Sequence, residues 1–243
     1  PNDATQNIGN GSYSTADPYV KKVWDGRYTG IRMCNELLEN IDRVPDLDPE
    51  LKKRYIGEAK VLRAYNYYEL YTKFGDVPYT TKVLSIKESM SIARTAKATV
   101  IANVLADLDE VINGNYLPTS YDADNKGRIT RWAAMAIKAK IYLFEGNWTQ
   151  VKNITSTIMT EGGFKLFGSY AGLFEIANEY NSEVILDAQY RPTSREHQMM
   201  YVFLPPTLGG YSQLSPLQEL VDSYIMLDGK TIKAVSYTHL RAH

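Results

Sequence analysis

Apolar residues recur along most of this chain at intervals of three and four, the spacing that places side chains on one face of an α-helix. Proline and glycine give the clearest signals at the helix ends. Asp48 and Pro49 supply an N-cap and a proline for the first helical turn, and Gly75 followed by Pro78 ends the helix that they begin. The pattern predicts helices over about residues 18–43, 49–74, 96–113, 131–145 and 148–161.

The helical pattern stops at about residue 162, and the remainder is less regular. Residues 183–190 partly alternate between apolar and polar side chains and form the best candidate for a strand. Residues 204–211 are rich in proline and glycine and predict irregular structure, followed by a short helix over about residues 217–224. We therefore divide the chain into an N-terminal loop, a helical region, an irregular segment and a terminal tail, which are residues 1–17, 18–161, 162–232 and 235–243.

The two ends of the sequence indicate a fragment or a processed form. The chain begins without a methionine or a signal peptide, and residues 235–243 continue neither a helical nor a strand period. We interpret that tail as non-native sequence appended to a truncated reading frame. No run of about 18 apolar residues occurs, so we predict no membrane-spanning helix.

Composition adds one unusual feature, a total of 19 tyrosines among the 243 residues. Tyrosine has a flat apolar face and a hydroxyl, which suit both helix packing and stacking against a sugar ring. At their helical spacing, however, Tyr65, Tyr67, Tyr68 and Tyr71 are expected to pack in the core. The net charge of −1 gives no electrostatic reason to expect nucleic acid as a partner.

Carboxylate chemistry gives no convincing catalytic pair. Glu58 and Glu69 lie 11 residues apart, or roughly 16 Å along a helix, whereas the paired carboxyl groups of glycosidases lie about 5–9.5 Å apart. We expect Glu58 to form an ion pair with Arg63 or Lys60. The other close acidic pairs, Asp107 with Asp109 and Asp122 with Asp124, are expected on a solvated helix face and in a loop.

Metal and cofactor motifs are equally weak. Residues 122–127 resemble a calcium loop only in part, because Lys126 stands at a ligand position and Ala133 stands where the bidentate glutamate belongs. Outside the tail the sole histidine is His197, which excludes a zinc site. The chain has no nucleotide-binding or nucleophile-elbow motif, so we predict no cofactor and no enzyme activity.

An internal repeat is visible in the fourth and fifth predicted helices. Small, aromatic and glycine residues there have the spacing of a tetratricopeptide unit, in which two helices approach closely around a tight turn. The second predicted helix repeats the first half of the unit, but Pro78 interrupts it and a long insertion delays the partner helix to about residue 96. The residues are Ala139, Tyr142, Gly146, Trp148 and Val151 in the complete unit, and Tyr68, Tyr71 and Gly75 in the interrupted one.

Several segments in the same order resemble the SusD/RagB family of nutrient-uptake outer-membrane lipoproteins. The most informative is the tyrosine-rich helix that ends in Gly75-Asp76-Val77-Pro78. The segments that carry the resemblance are residues 24–31 with 35–38, 58–78, 128–133 with 140–143, 181–185, and 215–224 with 228–229.

The resemblance implies a mainly α-helical fold of degenerate tetratricopeptide-like repeats with a loop-rich segment and little β-structure. It implies a protein of the cell surface that captures an oligosaccharide and passes it to a SusC-like TonB-dependent transporter. Family members are about twice as long as this chain and are attached to the outer membrane by a lipidated cysteine. Cys34 lies inside a helix, is expected to be a small buried apolar residue, and does not match that anchor.

Two loops are expected to hold the ligand, because the family's binding surface lies in corresponding loops. The candidate residues are Asn7, Asn10 and Tyr13 before the first helix, and Tyr201, Tyr211 and Gln213 in the irregular segment.

Two other functions remain open from the sequence. A tetratricopeptide scaffold that binds a peptide would need a concave groove of regularly spaced polar residues. An all-helical carbohydrate-active enzyme would need a convincing catalytic carboxylate pair, which the sequence lacks.

Overall fold

α-Helices account for most of the part of the chain that the computed structural model describes, which is residue 7 and residues 11–190, 193, 196, 199–212, 218–225 and 229–231. The chain forms two compact units, residues 2–188 and residues 189–243. The helices of the first unit are α1 (Pro18–Asn40), α2 (Pro49–Phe74), α3 (Ile86–Ser91), α4 (Lys97–Asn113), α5 (Arg131–Phe144) and α6 (Trp148–Glu161). Those of the second unit are α7 (Met199–Phe203) and α8 (Gln218–Asp222).

The long helices confirm the sequence prediction, and their caps explain the agreement. The Asp48 side chain accepts a hydrogen bond from the backbone N–H of Leu51 at 2.8 Å and begins α2. Gly75 ends α2 with a φ of 68°, a left-handed conformation that glycine adopts without steric cost. The side chain of Thr130 caps α5 in the same way as Asp48 caps α2.

The Gly-Asp-Val-Pro turn does more than end α2. The carboxylate of Asp76 accepts a hydrogen bond from the backbone N–H of Lys97 at 2.8 Å, so it caps α4 from outside that helix. Val77 is fully buried and forms an antiparallel bridge with Thr95. The turn therefore fixes both the end of one helix and the start of the next.

One short helix, α3, was not predicted within the connection between α2 and α4. It begins with a capping box, in which the Ser85 hydroxyl accepts from the backbone N–H of Glu88 and the Glu88 carboxylate accepts from the backbone N–H of Ser85. These hydrogen bonds hold the Glu88 pKa down at about 2. Local capping, rather than apolar periodicity, defines this helix, since none of its residues is buried.

α2 lies at the centre of the helical unit and packs against α1 and α4, while α5 packs against α6. The core includes Tyr67, Leu70 and Tyr71 on α2, each at most 1% exposed. Tyr65 and Tyr68 pack against it from partly buried positions. The prediction that the helical tyrosines serve as packing residues is therefore confirmed. Burial of each large apolar side chain contributes about 1.5–3 kcal/mol.

α5 and α6 form the predicted tight helix pair. Gly146 adopts a φ of 73° between them, and the side chain of Asn147 caps α6 by accepting from the backbone N–H of Gln150. Ala139 is buried on the inner side of α5. Trp148, by contrast, is 68% exposed.

A buried polar network joins α1, α2 and α4, and it corrects the expectation for Asp107. Asp107 is not on a solvated face, because its carboxylate receives Nε and Nη2 of Arg63 at 2.7–3.0 Å. Arg63 also donates to the side chain of Asn35 at 2.9 Å. Asn35 in turn donates to the carbonyls of Thr80 and Lys82, which holds the loop after the Gly-Asp-Val-Pro turn against α1.

The expected partner of Glu58 was wrong. Its carboxylate forms a two-point ion pair with Arg128, at 2.7 and 2.8 Å, and not with Arg63 or Lys60. Lys60 pairs with Glu110 instead. The tertiary packing of α2 explains the different partners. Arg63 and Lys60 lie on the side of α2 that faces α4, whereas Glu58 faces the loop that precedes α5.

The predicted strand over residues 183–190 was also wrong. Within the described residues the β-structure consists of two isolated bridges, Val77 with Thr95 and Ile225 with Thr231. Ser182 instead pairs with Lys165 through one backbone and one side-chain hydrogen bond, both 3.0 Å long. Without a partner strand to complete a ladder, alternation alone does not form a strand.

The short helix expected over residues 217–224 is confirmed as α8, although Leu217 itself lies outside the described residues. Cys34 is buried as expected, and burial raises its pKa to about 11. Among the helices that the structure describes, none is long and apolar enough to cross a membrane.

Candidate functional site

Tyr201 and Tyr211 form a solvent-exposed aromatic pair in the second unit. Their ring centroids lie 6.5 Å apart with an interplanar angle of 40°, and the side chains are 57% and 67% exposed. The backbone N–H of Tyr211 donates to the carbonyl of Tyr201 at 2.7 Å, which fixes the two residues side by side. We call these two residues the tyrosine pair.

The turn between the two tyrosines explains why residues ten apart in sequence meet in space. A 3₁₀ turn over Pro206–Leu208 is followed by Gly209, whose φ of 82° reverses the chain. Gly210 then passes so close to Leu204 that a Cβ at residue 210 would lie 2.0 Å from the Leu204 carbonyl oxygen. The proline–glycine composition that predicted irregular structure therefore builds a specific reversal.

The first predicted loop places Asn7 and Tyr13 together. The backbone N–H of Tyr13 donates to the Asn7 carbonyl at 3.1 Å, and the Tyr13 side chain is 54% exposed. The Asn7 amide is occupied within the loop, because it donates to Asp17 at 3.5 Å and accepts from Ser12 at 3.3 Å. Asp17 is buried and caps α1. Tyr13 therefore presents a free aromatic face, whereas the Asn7 side chain holds the loop.

The other two predicted site residues, Asn10 and Gln213, lie outside the described residues. Tyr13 belongs to the first unit, and the tyrosine pair belongs to the second.

Several ion pairs lie outside these loops and join helices to neighbouring elements. Glu58 with Arg128, Arg63 with Asp107, and Lys138 with Asp109 each link α2, α4 or α5 to a neighbouring element. A general acid–base pair needs a carboxylate able to exchange its proton with a substrate. The Glu58 and Asp107 carboxylates, however, each form an ion pair with an arginine. No group of three or more metal-binding side chains occurs in the described ranges.

One surface groove was missed by the sequence prediction. It has a volume of about 520 Å³ and lies between the first turns of α2, the loop after α4 and the start of α5. Its lining includes two arginines, Arg54 and Arg131. One sequence signal marks Arg131: it directly follows the N-cap Thr130, a position where the helix dipole disfavours a cation.

Comparison with known proteins agrees with the fold. A family model described as SusD-like, starch-binding and associating with the outer membrane matches residues 2–143. The SusD-like protein P25 of Formosa agariphila is 32% identical over 166 residues, which cover 68% of this chain and 31% of that protein. A SusD-like protein of Bacteroides ovatus is 23% identical over 189 residues, covering 72% of this chain and 34% of that protein.

Two solved structures are similar over most of the chain. A SusD-like protein of Bacteroides fragilis gives a TM-score of 0.81 at 28% identity, covering 90% of this chain and 44% of that one. A laminarin-binding SusD-like protein gives a TM-score of 0.71 at 30% identity, covering 76% of this chain and 41% of that one. The chain thus spans about a third of the length of the curated relatives and less than half of the solved ones. On the family match over residues 2–143, the chain belongs to the SusD-like family.

Proposed function

We propose that this chain is part of a cell-surface glycan-binding protein that captures an oligosaccharide without cleaving it. The observation that carries the proposal is the tyrosine pair, since two adjacent exposed rings provide an apolar platform wide enough for a sugar ring. The similarity to a laminarin-binding SusD-like protein supports a carbohydrate ligand. Tyr13 is proposed as a further stacking residue because its ring is exposed and its backbone is fixed by Asn7.

We also propose that the captured glycan passes to a SusC-like TonB-dependent transporter in the outer membrane. The family description, association with the outer membrane, supports this location. Attachment there would occur through a lipidated cysteine other than Cys34, which is buried within α1. Copurification of a TonB-dependent transporter with the membrane-attached protein tests the partnership, and its absence would contradict it.

An array of neutral glycans and peptides tests the binding class. We expect binding to a glycan, with laminarin oligosaccharides and starch fragments as the first ligands to try, and loss of binding when both Tyr201 and Tyr211 are changed to alanine. Binding to peptides alone would favour the tetratricopeptide scaffold. Release of reducing sugar by the wild-type chain would favour a carbohydrate-active enzyme.

A further inference from the structure

Arg54 and Arg131 line the same groove, and neither side chain forms an ion pair among the described residues. We call this the arginine groove; its walls are Asp48, Glu50, Leu51, Arg54, residues 115–119 and Arg131. Nε of each arginine is buried and makes no hydrogen bond to any residue that the structure describes. A guanidinium carries five N–H donors, and buried donors are normally satisfied. Two buried Nε donors without an acceptor at one groove are therefore an unusual feature that calls for one.

Arg54 is held in place by aromatic rings. Its guanidinium carbon lies 5.5 Å from the centroid of the Tyr55 ring and 5.8 Å from that of Tyr121. The Tyr121 hydroxyl is fixed in turn, because it donates to the carbonyl of Ile129 at 3.1 Å. Cation–π contacts orient the guanidinium but leave its N–H donors free for another group.

Arg131 occupies a position that does not favour it. It is the first residue of α5, where the positive end of the helix dipole repels a cation. Its backbone N–H donates to the carbonyl of Pro118 at 2.9 Å, which ties the start of α5 to the groove wall. The side chain forms no ion pair in the part of the chain that the structure describes. Helix stability therefore does not account for an arginine here.

The two carboxylates in the groove do not neutralise the arginines. Asp48 is engaged as the cap of α2, accepting from the backbone N–H of Leu51. Glu50 stands four residues before Arg54, the spacing of a helical ion pair. Nevertheless Glu50 is exposed and forms no ion pair with Arg54.

Tyr116 supplies an aromatic wall beside the arginines, and two glycines make room for it. A Cβ on Gly57 would lie 2.8 Å from the Tyr116 Cβ, and a Cβ on Gly114 would lie 2.5 Å from its ring. The Tyr116 hydroxyl donates to the Glu110 carboxylate at 3.0 Å. These contacts set the ring in one position at the side of the groove.

We propose that the arginine groove binds an oxyanion, either a carboxylate or a sulfate group, through Arg54 and Arg131. Both groups match the planar fork of a guanidinium, which donates two parallel N–H bonds to two oxygens. An acidic sugar residue of a polysaccharide would present such a group, with its ring beside Tyr116, and this source of the anion rests on the proposed glycan function. A free inorganic anion offers the same chemistry and does not depend on that function.

Calorimetry on the full chain separates the two sources. Inorganic sulfate, a sulfated oligosaccharide, a uronate oligosaccharide and a neutral oligosaccharide are titrated at low ionic strength. We expect at least one acidic oligosaccharide to bind about tenfold or more tightly than the neutral one. Binding of inorganic sulfate that equals the acidic oligosaccharide and competes with it would assign the groove to a free anion. Absence of binding by all three anionic probes would overturn the proposal.

Single substitutions test whether Arg54 and Arg131 are the residues that bind the anion. Arg54→Gln and Arg131→Gln are each expected to weaken anion binding about tenfold or more. Arg32→Gln is the matched control, because Arg32 is an exposed arginine on α1 that also forms no ion pair with a described residue, and it should leave the affinity unchanged. Glu50→Gln should strengthen binding by removing a negative charge, a result that misfolding would not produce. Equal losses in Arg32→Gln and Arg54→Gln, or weaker binding by Glu50→Gln, would contradict a specific site.

The same titrations also distinguish a failure of the arginine-groove proposal from a failure of the proposed glycan function. A neutral glycan that binds through the tyrosine pair should bind the two arginine variants with unchanged affinity. Neutral glycan binding without any anion binding would overturn the arginine groove alone. Anion binding without any glycan binding would retain the groove and overturn the glycan function.

Discussion

Arg63 on α2 and Asp107 on α4 are joined by a two-point ion pair in which Nε donates to Oδ2 at 3.0 Å and Nη2 donates to Oδ1 at 2.9 Å. The Arg63 side chain is 5% exposed and that of Asp107 is 13% exposed. Through Asn35 the same arginine is linked to the loop that follows α2. This pair therefore connects two core helices to the loop that follows the Gly75-Asp76-Val77-Pro78 turn.

Asp107→Asn is expected to destabilise the helical unit strongly. Removal of one partner leaves the Arg63 charge buried without full compensation, which costs about 3 kcal/mol or more. The matched control is Asp25→Asn, since Asp25 forms an exposed pair with Lys21 and such pairs contribute about 1 kcal/mol or less. Urea unfolding followed by helical circular dichroism measures both, and equal losses would contradict the account of the network.

Tyr67 and Tyr71 are buried on the same helix but differ at their hydroxyls. The Tyr67 hydroxyl donates to the Thr80 carbonyl at 2.9 Å and accepts from the Thr80 N–H at 2.8 Å. The buried Tyr71 hydroxyl, by contrast, has no hydrogen-bond partner among the described residues. Tyr67→Phe should therefore lower the free energy of unfolding by about 1–3 kcal/mol. Tyr71→Phe should be neutral or slightly stabilising in the same urea titration. The opposite order would show that the assigned hydrogen bonds do not hold the loop.

Cys34 should resist alkylation in the folded chain. Burial raises its pKa from 9.0 to about 11, so at pH 8 the reactive thiolate fraction is about 100-fold smaller than in the unfolded chain. Because the folded-state pKa lies above the unfolded value, the thiol's contribution to stability is complete below pH 9 and is lost as pH rises toward 11. Iodoacetamide labelling with and without urea measures the difference, and equal rates would place Cys34 outside the core.

Gly210→Ala should weaken glycan binding without touching either tyrosine. The added Cβ would meet the Leu204 carbonyl oxygen and force the turn between Tyr201 and Tyr211 to open. Gly168→Ala is the control, because a Cβ there meets nothing within 4 Å and the residue has no positive φ. We expect calorimetry to show several-fold weaker binding for the first variant only. Unchanged affinity in Gly210→Ala would mean that the reversal does not position the pair.

Features set by neighbours in sequence were predictable. Asp48, Pro49 and Gly75 mark the ends of α2 because capping and left-handed conformations depend on a few adjacent residues. The family resemblance likewise predicted the mainly α-helical fold, because it rests on short sequence segments such as Gly75-Asp76-Val77-Pro78. The helical tyrosines were assigned to packing by their spacing, and Tyr67 is indeed fully buried.

Features set by distant residues were not predictable. Glu58 pairs with a residue 70 positions away, so local spacing suggested the wrong cations. Residues 183–190 alternate like a strand, but only the fold determines whether a partner strand is present. The contact between Tyr201 and Tyr211 depends on the exact reversal at Gly209 and Gly210. Likewise, only the fold determines that the Nε atoms of Arg54 and Arg131 are buried without an acceptor among the described residues.

The most direct test of the central claim is a calorimetric titration of Tyr211 variants with a neutral oligosaccharide that the wild-type chain binds. Stacking needs the ring and not its hydroxyl, so Tyr211→Phe should bind within about twofold of wild type. Tyr211→Ala should bind about tenfold or more weakly, equivalent to about 1.4 kcal/mol. Tyr224→Ala, which removes another exposed tyrosine of the same unit, should bind like wild type. Equal affinity of Tyr211→Ala and Tyr224→Ala would contradict the tyrosine pair as the glycan-binding platform.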